Sequence, residues 1–181
     1  MAVAVSEHGY AGTTVADVVR IGRASRRTFY HHFEDRAECF LALGDELTEY
    51  ALELVSAASG SPRLDWRERI DFALEAYLQT CAATPGLTRS YLLELFGLGE
   101  RGLAHRRTAM RLWADQLREL AEDCRREYPQ LNPMTPAAAT AIVGGIWELS
   151  LLAAEEGRPH EVSEIRQVAS DLIADVLTAP R

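Results

Sequence analysis

The 181-residue sequence predicts an all-helical protein in two parts, a small N-terminal helix-turn-helix over residues 1–45 and a helical body over residues 46–181. Three observations lead there. No stretch alternates apolar and polar residues over a useful length, as a half-buried strand would, whereas apolar residues recur at steps of three and four. Helix punctuation at Asp35, Ser59-Gly60-Ser61-Pro62, Thr84-Pro85 and Pro129, Pro133 and Pro136 cuts the chain into about nine helices. Residues Thr13 to Phe33 read as two short helices broken at a tight turn near Gly22-Arg23, the second crowded with arginines, hydroxyls and an aromatic.

The elements follow in order. Ala16, Val19 and Ile21 in the first short helix, with Ala24, Phe29 and Phe33 in the second, supply the apolar residues that lock the pair. Asp35 caps a long helix through Phe40, Leu43, Leu47, Tyr50 and Leu54, which links the head to the body and stops at residues 59–62. An amphipathic run through Trp66, Ile70, Ala73, Tyr77 and Cys81 follows up to Ala83. Thr84 then serves as a cap and Pro85 as the first helical residue of a helix carrying Leu87, Tyr91, Leu92 and Leu95, which ends near Gly97 or Gly99. A longer helix runs from about Glu100 to Tyr128.

From Pro136 to Ala154 the chain is nearly all apolar, interrupted by Thr140, Glu148 and Ser150 and by Gly144-Gly145. A membrane span is rejected: the run is short for a bilayer, carries a central carboxylate, and has no interfacial anchors beside it. Apolarity all round a helix outside a membrane implies burial on both sides, one against its own core and one against a partner. The last helix, Glu161 to Leu177, has a stripe of similar width, so two helices from each of two subunits would make a four-helix homodimer interface, with Ile142, Leu149, Ile165, Leu172 and Val176 in it.

A net charge of −8 looks wrong for a nucleic-acid binder until it is divided along the chain. Residues 1–36 hold five arginines against four carboxylates, a net +1 that leaves −9 on residues 37–181. Positive charge gathered at one end meets phosphates there, while an acidic remainder repels DNA and favours one docking orientation. Cys39, Cys81 and Cys124 are odd in number and widely spaced, so neither a disulfide framework nor a zinc site is suggested, and a reducing cytoplasm fits. His31 and His32 are neighbours with no third ligand nearby, so no metal is expected. No Gly-x-Ser-x-Gly, Walker loop, dinucleotide fingerprint or His-Glu-x-x-His motif is present, so no catalytic residues, no cofactor and no enzyme are expected.

A helix entering a major groove needs forked donors for base edges at its start and hydroxyls to hold phosphates beside it, and Ser25, Arg26, Arg27, Thr28 and Tyr30 supply both. Gly9-Tyr10-Ala11-Gly12-Thr13-Thr14-Val15 and Ser25-Arg26-Arg27-Thr28-Phe29-Tyr30-His31-His32-Phe33 resemble the N-terminal domain of the TetR family of bacterial transcriptional regulators over about the first 50 residues. That resemblance implies phosphate contacts from Thr13, Thr14, Thr28, Tyr30, His31 and Arg36, repression of transcription, a homodimer on a near-palindromic duplex operator, and a ligand chamber in the body. Many relatives have glycine in the turn where this chain has Arg23, which is either a further phosphate contact or a tolerated replacement. Trp66, Tyr77, Tyr91, Phe96, Met110, Trp113 and Trp147 lie on helices that would surround the chamber, with Tyr77, Tyr91, Met110, Trp113, Trp147 and Glu148 taken to contact an effector. Glu148 has two readings, a cross-subunit pair with an arginine or a contact to a cationic or hydrogen-bonding ligand.

The alternative function is a helical protein–protein adaptor, which accounts for the amphipathic helices but not for the arginine-rich one; salt-dependent binding to duplex DNA separates the two. The few residues before Gly9 leave about two turns of helix at 3.6 residues per turn. Relatives start earlier, so a loosely held head, weak DNA binding and tighter, more salt-dependent binding by an upstream-extended chain are expected.

Overall fold

The computed structural model describes residues 1–157 and 162–180. Among these residues the chain forms nine α-helices and one 3-10 turn: α1 (Ala2–Gly12), α2 (Val15–Ile21), α3 (Arg26–His32), α4 (Arg36–Ser59), α5 (Trp66–Ala83), α6 (Pro85–Glu94), the turn Leu95–Leu98, α7 (Gly99–Glu127), α8 (Pro136–Glu155) and α9 (Val162–Thr178). The expected start of the last helix at Glu161 lies outside the described residues.

The punctuation acts largely as its chemistry requires. The Asp35 carboxylate accepts the Glu38 amide at 2.7 Å, and Asp65 and Glu68 form a reciprocal capping box at the start of α5. Thr84 departs from expectation: its hydroxyl is turned back to the Thr80 carbonyl, 3.4 Å away, so α6 has Pro85 at its first position but no side-chain cap. Gly99, at φ 59, turns the chain from the 3-10 segment into α7.

The main core is built from α4, α5, α7, α8 and α9 around Ile70, Leu78, Cys124, Ile173 and Leu177. Two expected dimer residues belong to it. Ile142 and Ile165 are each 7 % exposed and pack inside their own chain, because the broad stripes on α8 and α9 are consumed first by α5 and α7. Leu149 and Val176 are half-buried against the same core. The outward remainder is Leu172 and Val168 on α9, with Ala141, Gly145, Glu148 and Leu152 spaced along one side of α8. By length and mean hydropathy, 1.6, α8 would suffice to cross a membrane; here it packs on α6, α7 and α9 with Ile142, Val143, Ile146 and Trp147 buried.

A second cluster joins the head to the body. Val5 and Tyr10 of α1, Phe40 of α4, and Leu87 and Leu95 pack together, so α1 lies against α6 and α4. A Cβ on Gly86 of α6 would overlap the Ser6 carbonyl of α1, which sets how closely the two helices approach. Short as it is, α1 buries Ala4 and Val5 completely. Residue 45 falls inside the unbroken α4, so the helix that ends the head is also the first wall of the body.

Candidate nucleic-acid interface and ligand chamber

α2 and α3 form the helix pair expected from the sequence. Thr14 caps α2 through a full capping box with Asp17, whose carboxylate is lowered by hydrogen bonds from Thr14 and from Arg20. Ser25 caps α3, accepting the Thr28 amide at 3.0 Å and lying 2.9 Å from its hydroxyl. Phe29 is the buried anchor of α3, with its ring 5.4 Å from that of Phe33. Ala16 and Ala24 do not take part in this locking; both are exposed, and Val15, Val18, Val19 and Ile21 supply the half-buried side of α2.

On the outer side of α3, Arg26 and Tyr30, and Arg27 and His31, stand one turn apart and are all exposed. Among the described residues neither the Arg26 nor the Arg27 guanidinium has an intramolecular ion pair or hydrogen bond, so both forks are open at the first turn of the helix. Thr28 is exposed beside them, and the Tyr30 ring is 57 % exposed.

Two expected phosphate contacts are corrected. Thr13 is completely buried and its hydroxyl donates to the Gly9 carbonyl at 2.7 Å, so it closes a bend in α1 and faces no solvent. Arg36 stacks on the Tyr10 ring at 4.1 Å and donates to the carbonyls of Tyr10 at 2.9 Å, Ala11 at 3.5 Å and Thr13. Its guanidinium holds the end of α1 in place.

Arg23 adopts φ 51, the only positive φ outside glycine among the described residues. The turn is therefore where the resemblance puts it, and an arginine occupies the left-handed position. That conformation disfavours an L-residue by about 1–2 kcal/mol, partly offset by the entropy a glycine would lose. Arg23→Gly is expected to stabilise the head by about 0.5–1 kcal/mol, read as a higher thermal midpoint; an unchanged or lower midpoint would remove the strain from the account.

In the body, a cleft of about 710 Å3 opens between α4, α5 and α6. Its floor is Tyr77, Trp113 and Trp147, with the Tyr77 and Trp113 rings edge to face at 4.9 Å. Small residues leave the space open, among them Ala51 and Ala58 on α4, Ala76 and Thr80 on α5, and Thr88 on α6. Ala2 of α1 also lines it, so the head contributes directly to the wall. No lining residue carries a formal charge at neutral pH. Burial pushes the Tyr77 and Tyr91 phenols and the Cys81 thiol up, keeping all three protonated.

Four expected chamber residues lie elsewhere. Met110 packs behind Trp147 without reaching the cleft. Trp66 is half-buried against the main core under Arg67, and Phe96 is 52 % exposed, its ring 5.3 Å from the Arg106 guanidinium. Glu148 is exposed on the outer side of α8 and does not line the cleft, which removes the ligand reading. A smaller void of about 60 Å3 sits deeper, between Trp113, Trp147 and Ile173.

Tyr91 ties the cleft to its surroundings. Its hydroxyl is 2.9 Å from His105 Nε2 and 3.5 Å from the Thr48 hydroxyl, while His105 Nδ1 lies 3.5 Å from Asp45. Burial pushes His105 down against the pull of Asp45. Among the described residues no group of three or more His, Cys, Asp or Glu side chains gathers to hold a metal.

Residues 3–43 match the family model of bacterial regulatory proteins of the tetR family. No curated protein matches the chain. Solved structures share its fold over nearly the full length. The fatty acid degradation regulator FadR from Bacillus halodurans is 16 % identical with a TM-score of 0.79, over 93 % of this chain and 90 % of that one. FadR from Bacillus subtilis, solved in complex with stearoyl-CoA, is 13 % identical with a TM-score of 0.81, over 97 % of this chain and 95 % of its own. A TetR-family transcriptional regulator from Pectobacterium atrosepticum is 23 % identical with a TM-score of 0.72, over 98 % and 90 %. The chain thus has a tetR-family head and the TetR-type fold.

Proposed function

We propose that this chain, tetR-family in its head and TetR-like in its whole fold, is a cytoplasmic, homodimeric repressor released from a near-palindromic operator by an apolar effector. Residues 1–45 read DNA and residues 46–181 sense and dimerise. The observation that carries this reading is α4. It begins beside the reading pair at Arg36 and, through Leu47, Thr48, Ala51 and Leu54, walls the cleft, so a change in the cleft is a change in the support of the head. The free energy available is the effector's differential affinity for the two shapes of the body.

The uncharged lining selects the effector. An ionised group buried there would lose its hydration with no counter-charge in the wall. The buried part is therefore neutral and largely apolar, of the size of a fatty acyl chain or a polycyclic hydrocarbon, and any polar end sits at the rim near Tyr50, Gln79 and Thr84. A stearoyl-CoA complex of the fold relative from Bacillus subtilis supports an elongated occupant.

The test pairs selection of duplex DNA by the purified chain with titration of the neutral fluorophore N-phenyl-1-naphthylamine. Binding should quench Trp113 and Trp147 and weaken the selected duplex. Ala76→Phe, which fills the cleft, should lower fluorophore affinity at least tenfold, by about 1.4 kcal/mol or more, while DNA affinity without fluorophore stays within twofold. Failure to select any duplex would end the regulator reading, and fluorophore binding that survives Ala76→Phe would remove the cleft as the sensor.

A further inference from the structure

We infer that Glu94 is the positioning residue through which the chamber holds the DNA-reading head: from the chamber-wall helix α6 it grips the free amides of the last turn of α1 and fixes the angle at which α2 and α3 leave the body. The inference rests on the regulator reading above and names the polar contact that transmits it.

Gly9, at φ 69 and ψ 170, breaks α1 in the middle. The break frees the amides that follow it, and the Glu94 carboxylate takes two of them, Tyr10 N at 3.0 Å and Ala11 N at 2.8 Å. Glycine suits position 9 because its φ is left-handed, and a Cβ there would also crowd Glu94 Oε1 at 3.0 Å, so that the carboxylate would have to shift. Burial raises the Glu94 carboxyl, but Ser90 and the two amides outweigh it, and the group is held below its usual range as an anion.

The opposite end of the same turn is held by a cation. Arg36 donates to the Tyr10, Ala11 and Thr13 carbonyls, so residues 10–13 sit between a carboxylate at their amino side and a guanidinium at their carbonyl side. That polarity suits a helical turn, whose free N–H groups favour an anion and whose free carbonyls favour a cation. The two grips belong to different walls. Glu94 travels with α6, which contributes Leu87, Thr88, Tyr91 and Leu92 to the cleft, and Arg36 travels with α4. At its other end α1 touches the cleft through Ala2 and is pressed onto α6 where Gly86 meets Ser6. An occupant that parts α6 from α4 therefore pulls the turn from both sides.

The test uses the full chain with Glu94→Ala and Glu94→Gln, against an operator selected by the wild-type chain and against a duplex carrying one half-site. A single half-site is bound by one head and is indifferent to the angle between two; the full operator is not. For Glu94→Ala the full-to-half affinity ratio is expected to fall at least tenfold, with half-site affinity within twofold of wild type and faster hydrogen exchange at the Tyr10 and Ala11 amides. Glu94→Gln keeps an acceptor without the charge and should fall between. An unchanged ratio, or full-site and half-site affinities that drop together as they would if the head merely unfolded, overturns the inference. Should the wild-type chain select no duplex, the regulator reading fails before any variant is made, and this inference goes with it.

Discussion

Alanine at Arg26 or Arg27 should lower the preference for the selected operator over a scrambled duplex by about 5- to 150-fold each, the equivalent of about 1–3 kcal/mol per lost base-edge contact. The effect is large because neither guanidinium has an internal partner, so all of its donors are available to a guanine edge. It is also readable, since alanine is the best helix former and the Ser25 cap and the Phe29 anchor remain, leaving α3 in place. Tyr30→Phe should behave differently, weakening all duplexes alike, because a phenol that holds a phosphate carries no sequence information. Arg36→Ala should differ again, loosening the end of α1 and lowering the thermal midpoint. Affinity and preference that survive both Arg26→Ala and Arg27→Ala would take α3 out of the groove.

Helix positions were legible because punctuation and periodicity are local. Asp35, Pro85 and Pro136 start their helices, and the predicted Glu100–Tyr128 helix runs Gly99–Glu127. Tyr77, Tyr91, Trp113 and Trp147 reach the cleft because each is a large residue on an inward stripe. What stayed hidden depends on which element wins a shared residue. Ile165 carries the same pattern whether it meets a partner subunit or α5, and only the three-dimensional packing decides for α5. Thr13 and Arg36 have the chemistry of phosphate ligands, yet the nearer acceptors are the carbonyls of α1. The walls of the cleft were missed for the opposite reason: a cavity is made by what is small. Ala51, Ala58, Ala76 and Thr80, recurring on α4 and α5 where core helices usually carry large residues, were the signal.

Charge adds a constraint that the head alone does not reveal. Body carboxylates such as Glu49 and Glu53 are exposed along α4 beyond the head, so on the regulator reading a body tilted toward DNA would meet repulsion, and the end with net positive charge would be favoured. On the proposed regulator reading this charge division would orient the chain before any base is read, and a homodimer would then depend on how its two bodies are joined.

Leu152→Glu and Leu172→Glu are expected to separate the dimer and, with it, to lower operator affinity by about 10²–10⁴-fold, the loss of effective concentration when two linked heads become independent. Leu152 is 42 % exposed, Leu172 51 % and Val168 43 %, on two neighbouring helices with no described segment over them. That exposure is costly in water and, in the proposed homodimer, would be relieved by an identical face across a two-fold axis. Glu148 lies on the same side of α8 as Leu152, so a new carboxylate there adds repulsion to lost apolar contact. Ile165→Glu is no substitute as a test, because Ile165 is inside its own core and a buried charge would unfold the chain. The informative result is a monomer by sedimentation that keeps the wild-type helical circular dichroism and half-site affinity. Retention of the dimer mass by both leucine variants would place the interface on another face.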